Sequence, residues 1–302
     1  MSAVTVAIVV AALAAAGVLI GRVQRVRIER RVAARLPVGE SGIIAGAAPI
    51  ALEAGGAPMG VVILHGFGDT PLTVESLAHA LNAAGFDVSA PLLPGHGRTL
   101  RAFATSTRSA WIAAARDAYA AMRARHGSVA LVGLSLGGAL ATIVAADDAS
   151  LASLVLLAPY FDAPAWLRML TPFSAVIGIV MPYVGGDPLR SIHDPVARAK
   201  ALAYGAVSPA VARQLVRTAD EARAVLARVR APTLYVQSRE DNRIAVRVAT
   251  SSFAKITAHP KRLELLTGCG HVLTVDYCRD RVASLAIEWL RGAVSGYDEG
   301  TA

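Results

Sequence analysis

Apolar and polar positions along the 302-residue chain fall into three regimes. The first is an unbroken apolar run: no residue between 4 and 20 is charged, and with Ser2, Ala3 and Gly21 the span approaches the roughly 20 residues that cross a bilayer as a helix. The second begins near residue 60, where short apolar runs of strand length alternate with longer stretches of helical character. Residues 128–132 read as a buried strand, 61–64 as an apolar strand and 233–237 and 263–267 as strand-like runs, with residues 72–84 and 109–125 as helices. Such βα repetition predicts a mostly parallel sheet flanked by helices. The third regime, residues 166–184, is apolar enough to mimic a second membrane span, but Arg168, Pro172 and Pro182 break it into shorter helical pieces. No repeat of solenoid period and no low-complexity linker interrupts the pattern.

Charge sharpens the picture at the amino terminus. Arg22, Arg25, Arg27, Arg30, Arg31 and Arg35 follow the apolar run directly, and no basic residue precedes it. By the positive-inside rule the arginines stay in the cytoplasm, so the expected topology is a single-pass anchor over residues 1–21, a basic juxtamembrane segment over 22–40, and the rest of the chain facing the cytoplasm. A signal peptide is the alternative, with a secreted or periplasmic product; it would want its positive charge ahead of the apolar run, although Ala14 to Ala16 could form a cleavage site. Six arginines and two glutamates among residues 1–40 place half of the net charge of +8 beside the anchor. That points to anionic lipid headgroups, with a solvated arginine-rich helix as the alternative. No aromatic-interleaved basic stripe supports a nucleic-acid partner.

Chemistry enters with Gly133-Leu-Ser-Leu-Gly-Gly138, which follows the strand-like run 128–132 and opens a helix-forming stretch. A serine hydroxyl is a poor nucleophile, and a tight strand-to-helix turn would expose Ser135 to a base and to backbone N–H donors. An acid and a histidine follow in that order, each just past a strand-like run: Asp241 within Ser-Arg-Glu-Asp-Asn-Arg-Ile, and His271 within Gly-Cys-Gly-His. Glu240 is the rival for the acid, and spacing to Ile244 favours Asp241. The loops after parallel strands meet at one sheet edge. A fourth, Leu64-His-Gly-Phe-Gly-Asp69, can aim the N–H of Phe67 at a developing oxyanion, with the N–H of Leu136 as its partner.

From about Gly60 to Ala293 the chain resembles the α/β-hydrolase superfamily, and within it the bacterial carboxylesterases and monoacylglycerol lipases. The stretches that carry the resemblance are Leu64-His-Gly-Phe-Gly, Pro94-Gly-His-Gly97, Gly133-Leu-Ser-Leu-Gly-Gly138, Ser238-Arg-Glu-Asp241 with Ile244, and Gly270-His-Val-Leu-Thr-Val-Asp276. The resemblance implies an α/β-hydrolase fold over residues 41–295 with a helical cap insertion at about 160–230 and a tail over 296–302. It implies Ser135 as nucleophile, His271 as general base and then acid, Asp241 as its orienting carboxylate, and Phe67 with Leu136 as oxyanion hole. The expected partner is a small ester, lipid-derived or of monoacylglycerol type, with Phe67, Trp166 and Phe173 lining the acyl pocket; ordinary core packing is the alternative for the cap residues. Ser238 stands where the family commonly has glycine, a departure expected to weaken the placement of Asp241 slightly.

The remaining candidates are structural. His65 is expected to brace the oxyanion turn and His96 the loop that holds it. With Asp69 they show no recognised metal spacing, and a serine mechanism needs neither metal nor cofactor. Cys269 and Cys278 are expected to be free thiols, in keeping with a cytoplasmic domain. The same triad serves acyltransferases, thioesterases, amidases and peptidases. A non-catalytic binding protein on this scaffold is disfavoured by the joint presence of all its parts, and an aspartate-nucleophile hydrolase is excluded by serine at 135.

Overall fold

The structure is a computed structural model that describes residues 2–186 and 188–297; most of the expected tail, from 298 on, lies outside them. In chain order the strands are β1 Ile50–Leu52, β2 Gly60–Leu64, β3 Asp87–Ala90, β4 Val129–Leu134, β5 Ser153–Leu157, β6 Val184–Gly185, β7 Ala206–Val207, β8 Thr233–Ser238 and β9 Lys261–Leu266. The α-helices are α1 Ala3–Arg35, α2 Glu75–Ala83, α3 Leu100–Ala104, α4 Arg108–Arg123, α5 Leu136–Asp147, α6 Ala165–Leu170, α7 Ser174–Val180, α8 Pro195–Lys200, α9 Pro209–Val225, α10 Val246–Lys255 and α11 Arg279–Ser295.

Seven strands form one sheet in the order β1-β3-β2-β4-β5-β8-β9, parallel throughout except for the edge strand β1. Central strands of such a sheet are covered on both faces, which is why β2, β4 and β5 are buried at every position. Alternation along β2 divides the core. Val61 and Ile63 join Leu77 and Leu81 of α2 and Val282 and Trp289 of α11, whereas Val62 and Leu64 join Trp111 of α4, Leu140 of α5 and Val211 of α9. Every crossover therefore returns its chain to the same sheet edge, where the loops after β2, β4, β8 and β9 emerge.

Between β5 and β8 the chain builds α6, α7, the short strand β6, α8 and β7, which pairs antiparallel with β6, before α9 returns to the core against α5. Ser208 caps α9 by accepting the N–H of Val211, and Pro209 supplies its first turn. The apolar tract 166–184 is divided at its prolines, with Pro172 between α6 and α7 and Pro182 just past the end of α7, whereas Arg168 lies within α6 and does not break it. Arg168 forms ion pairs with Asp162 at 2.8 Å and with Asp220, and Pro172 opens a turn of 3-10 helix between α6 and α7.

The amino-terminal helix is longer than the expected anchor. α1 runs unbroken for 33 residues, about 50 Å, and one 18-residue window within it is apolar and exposed throughout. Its basic half is not a free strip of charge: Gly21 crosses α7 so closely that a Cβ there would lie 1.9 Å from the carbonyl oxygen of Ile179. Tyr183 donates its hydroxyl to Glu29 at 2.7 Å, and Arg35 donates to the carbonyls of Ala203 and Tyr204 at 2.6 and 2.7 Å. The apolar helix and the α6–α7 region are thus one mechanical unit.

One expectation is overturned. Cys269 and Cys278 are not free thiols but form a disulfide that closes the loop carrying His271. The two cysteines lie nine residues apart on a loop that doubles back over the end of β9, and this return, invisible as sequence spacing, brings their Cα atoms to 5.8 Å.

Candidate active site

Ser135 stands between β4 and α5 with φ 53° and ψ −112°, a left-handed conformation that side chains other than glycine avoid. The turn is held by bonds on both sides: the N–H of Ser135 donates to Leu157 at 2.9 Å, and its carbonyl accepts from Tyr160 at 3.0 Å. Close approach explains the flanking glycines. A Cβ on Gly133 would lie 2.4 Å from the Gly137 carbonyl oxygen, and one on Gly137 would lie 2.0 Å from that of Leu64. The glycine at 137 therefore lets α5 start against the very strand end that leads into the Phe67 turn.

The structure brings Ser135, His271 and Asp241 together. Ser135 Oγ lies 2.8 Å from His271 Nε2, and His271 Nδ1 lies 2.7 Å from Asp241 Oδ2. Asp241 accepts on both oxygens: Oδ1 takes the N–H groups of Arg243 and Ile244 at 2.7 and 2.9 Å, and Oδ2 takes the side-chain amide of Gln237 at 2.7 Å besides the imidazole. Burial disfavours its charge, but the nearby His271 and these donors outweigh it and hold the carboxyl below its usual range. Glu240 is turned outward and accepts the N–H of Gly268 instead.

Ser238 does not loosen this loop. Its hydroxyl donates to the carbonyl of Cys269 at 2.5 Å and accepts the N–H of Glu240 at 3.0 Å, so the side chain that replaces glycine stitches the acid loop to the histidine loop. Asp276 orders the histidine loop from within. Fully buried, its carboxylate takes backbone N–H groups of His193, Asp194, Gly270 and Tyr277 at 2.7 to 2.9 Å; these outweigh burial and keep its pKa low. The sequence motif ending in Asp276 is its only outward sign. Gln237, inside an apolar strand, has none.

The backbone N–H groups of Phe67 and Leu136, the two expected oxyanion donors, are both left without a backbone acceptor among the described residues, that of Leu136 because it opens α5. His65 braces this turn: Nδ1 bonds the Gly66 carbonyl at 2.9 Å and Nε2 accepts the N–H of Leu93 at 3.0 Å. Burial lowers its pKa to about 4 against the opposing Gly66 bond, so the ring stays neutral. His96, its pKa also driven well down by burial, packs edge-on against Phe67, Phe103 and Trp111. Asp69, at the end of the turn, lines the cavity beside Ser135. Burial raises its pKa to about 7, opposed by the charge of His271.

Ser135 and His271 open into a cavity of about 750 Å³ with a mostly apolar wall that includes Phe67, Trp166, Leu167, Leu170, Ile177 and Met181. Two of the three expected acyl-pocket residues are there. The third is not: Phe173 is 61% exposed and lies outside the lining, because the 3-10 turn begun by Pro172 rotates it to the outer surface. Leu215 of α9 and Val207 of β7, which no local pattern singled out, are among the residues that complete the wall. No cluster of three metal-binding side chains occurs among the described residues.

Residues 57–277 match the family described as serine aminopeptidase, S33. The chain belongs to this family. The match excludes α1, the edge strand β1 and α11, and it spans the other six strands of the main sheet, the site loops and the tract between β5 and β8. Among curated relatives, the thermostable monoacylglycerol lipase of Bacillus sp. (strain H-257) is 28% identical over 82% of this chain and 95% of its own length. The carboxylesterase of Bacillus subtilis (strain 168) is 23% identical over 78% of this chain and 93% of its own. A solved structure from work on the metagenome-derived lipolytic enzymes LipS and LipT superposes with a TM-score of 0.70, at 29% identity, over 82% of this chain and 99% of that one. The monoacylglycerol lipase of Paleococcus ferrophilus, at 21% identity and a TM-score of 0.67, shares the fold. The fold is the α/β-hydrolase fold.

Proposed function

We propose that the protein is a membrane-anchored serine hydrolase that cleaves carboxylic esters of lipid-like, monoacylglycerol type. The observation that carries the reading is the hydrogen-bonded chain from Asp241 through His271 to Ser135, opening into an apolar cavity whose volume is in the range of about 300–1,000 Å³ typical of small-molecule sites. The lipase and esterase relatives support the ester as substrate.

In this mechanism His271 takes the hydroxyl proton as Ser135 attacks the carbonyl carbon, and Asp241 holds the tautomer that leaves Nε2 free to accept it. Charge on the carbonyl oxygen is met by the N–H groups of Phe67 and Leu136, each worth on the order of 3 kcal/mol in the transition state. His271 then protonates the leaving alcohol, and a water activated by the same ring releases the acid from the acyl-serine. The apolar wall holds the acyl chain, and the α6–α7 region, tied to α1, brings the cavity to the bilayer that supplies it.

The test is turnover of p-nitrophenyl esters and monoacylglycerols of increasing chain length, with Ser135→Ala alongside. Serine-dependent turnover that peaks on medium or long chains supports the reading. No ester turnover by the folded protein sinks it, and amide, thioester and acyl-transfer substrates then test the other uses of this machinery, amides first because of the family's description.

The arginines after the apolar run favour a domain facing the cytoplasm. The Cys269–Cys278 disulfide favours the opposite side, since such bonds persist in oxidising compartments. Labelling of intact cells with a membrane-impermeant lysine reagent, with and without permeabilisation, decides between them.

A further inference from the structure

Where α1 leaves its uncharged stretch it passes α3 and α7, and a second cavity of about 310 Å³ lies at the junction. Arg25 of α1 and Arg101 of α3 both line it. Neither guanidinium has a carboxylate within ion-pairing distance among the described residues, although both lie close enough to Tyr183 for their charge to act on its hydroxyl. Glu29 also lines the cavity, and its carboxylate is engaged by that Tyr183 hydroxyl. Ser174, a buried residue at the first position of α7, lines the cavity, and its hydroxyl makes no hydrogen bond among the described residues. Two planar cationic forks and the Ser174 hydroxyl, none with a hydrogen-bond or ion-pair partner among the described residues, thus share this small cavity with the Glu29 carboxylate.

Position narrows the ligand. Arg25 is four residues beyond Gly21, so it sits about 6 Å past the end of a stretch whose 18 residues span about 27 Å, close to the thickness of a bilayer's hydrocarbon core. That is the level of phosphate groups, and guanidinium forks match phosphate oxygens in geometry and charge.

We propose that the cavity between α1, α3 and α7 binds a phosphate-bearing anion, in a membrane the headgroup of an acidic glycerophospholipid, through Arg25, Arg101 and the Ser174 hydroxyl. The inference rests on the anchoring reading for its choice of lipid. Ser174, Ser208 and Pro209 line both this cavity and the one that holds Ser135, so an occupied headgroup site braces the shared wall of the acyl pocket. Acidic lipid then sets both where the cap rests and how firmly.

The experiment is a thermal-shift titration of the detergent-solubilised full chain with dihexanoyl phosphatidylglycerol, dihexanoyl phosphatidylcholine and inorganic phosphate. The expected result is a rise in Tm of roughly 2–4 °C with phosphatidylglycerol beyond that with phosphatidylcholine. Arg25→Gln/Arg101→Gln should abolish the excess, while Arg27→Gln/Arg31→Gln, of equal charge change but confined to α1, should keep it. The single variants Arg25→Gln and Arg101→Gln replace the double one if it fails to fold. An arginine-dependent shift with inorganic phosphate alone makes the source a soluble phosphate; a shift confined to phosphatidylglycerol makes it lipid. Equal shifts with both lipids and none with phosphate, an excess that survives loss of Arg25 and Arg101, or one lost equally with Arg27 and Arg31 overturns the proposal. Flotation of the full chain with pure phosphatidylcholine vesicles tests the anchor separately, since that lipid carries no net charge for the site to select.

Discussion

Replacing Gly137 by alanine isolates the geometric demand at the nucleophile turn without touching any polar group. The added Cβ would stand 2.0 Å from the carbonyl oxygen of Leu64, 2.5 Å from its carbon and 2.8 Å from the carbonyl oxygen of His65. All three are main-chain atoms, so no side chain can swing aside. An ordinary carbon–oxygen contact needs more than 3 Å, and α5 must therefore retreat from β2 by about 1 Å. That movement separates Ser135 and Leu136 from Phe67, the partners that must act on one carbonyl. Overpacking of this kind costs about 1–3 kcal/mol, and a misplacement of about 1 Å at reacting groups costs roughly 100-fold in rate. For a chain of this size each 1 kcal/mol lowers Tm by about 2–4 °C. Gly127→Ala is the control, because nothing lies within 4 Å of a Cβ there. Ester turnover and a thermal melt of the three proteins check the outcome: Gly137→Ala should lose both rate and stability, and Gly127→Ala neither. Turnover within twofold of the parent together with an unchanged Tm for Gly137→Ala would refute the reasoning.

Asp241→Asn should leave the fold intact and lower kcat by about 10⁴, because the amide no longer fixes the imidazole tautomer; steady-state kinetics beside circular dichroism check it. Cys269→Ser/Cys278→Ser releases a loop of about ten residues and should cost about 3 kcal/mol in chemical denaturation, with a fall in kcat because His271 rides on that loop. Asp69 holds its proton to about pH 7 in the folded protein, whereas the unfolded chain releases it near 3.8, so its contribution to stability is present at low pH and lost as pH rises through that window. Asp69→Asn removes this penalty. The variant should gain on the parent by about 4 kcal/mol between pH 4 and pH 8, a constant difference across that range being the contrary result in a pH series of melts.

Much of this was legible because it is local. Strands β2 and β4 are contiguous apolar runs, β8 and β9 carry shorter apolar stretches among polar residues, and in a parallel sheet the residues just past their ends share one edge, so Ser135, Asp241 and His271 could be placed together without knowing how the sheet is ordered. Helices α2 and α4 fall within or close to the helical stretches 72–84 and 109–125 in the same way. Contacts set by the packing of distant segments were not legible. The disulfide depends on how the histidine loop folds back; the grip of α1 on α7 depends on Gly21 meeting a backbone carbonyl 158 residues away; and Phe173 sits in a tract apolar on all sides, where composition does not say which face turns inward. Gln237 reads as one more strand residue until the Asp241 loop closes over it. Strand β3, short and opening on the charged Asp87, lacks the apolar run that marked its neighbours.

The central claim is that Ser135 becomes acylated. Rapid quenching of the full chain during turnover of a p-nitrophenyl ester, followed by peptide mass spectrometry, tests it most directly. The account predicts an acyl adduct on the peptide containing Ser135, formed at one per active chain and absent from Ser135→Ala. Steady turnover with no adduct at Ser135, or an adduct on another residue that persists in Ser135→Ala, would contradict it.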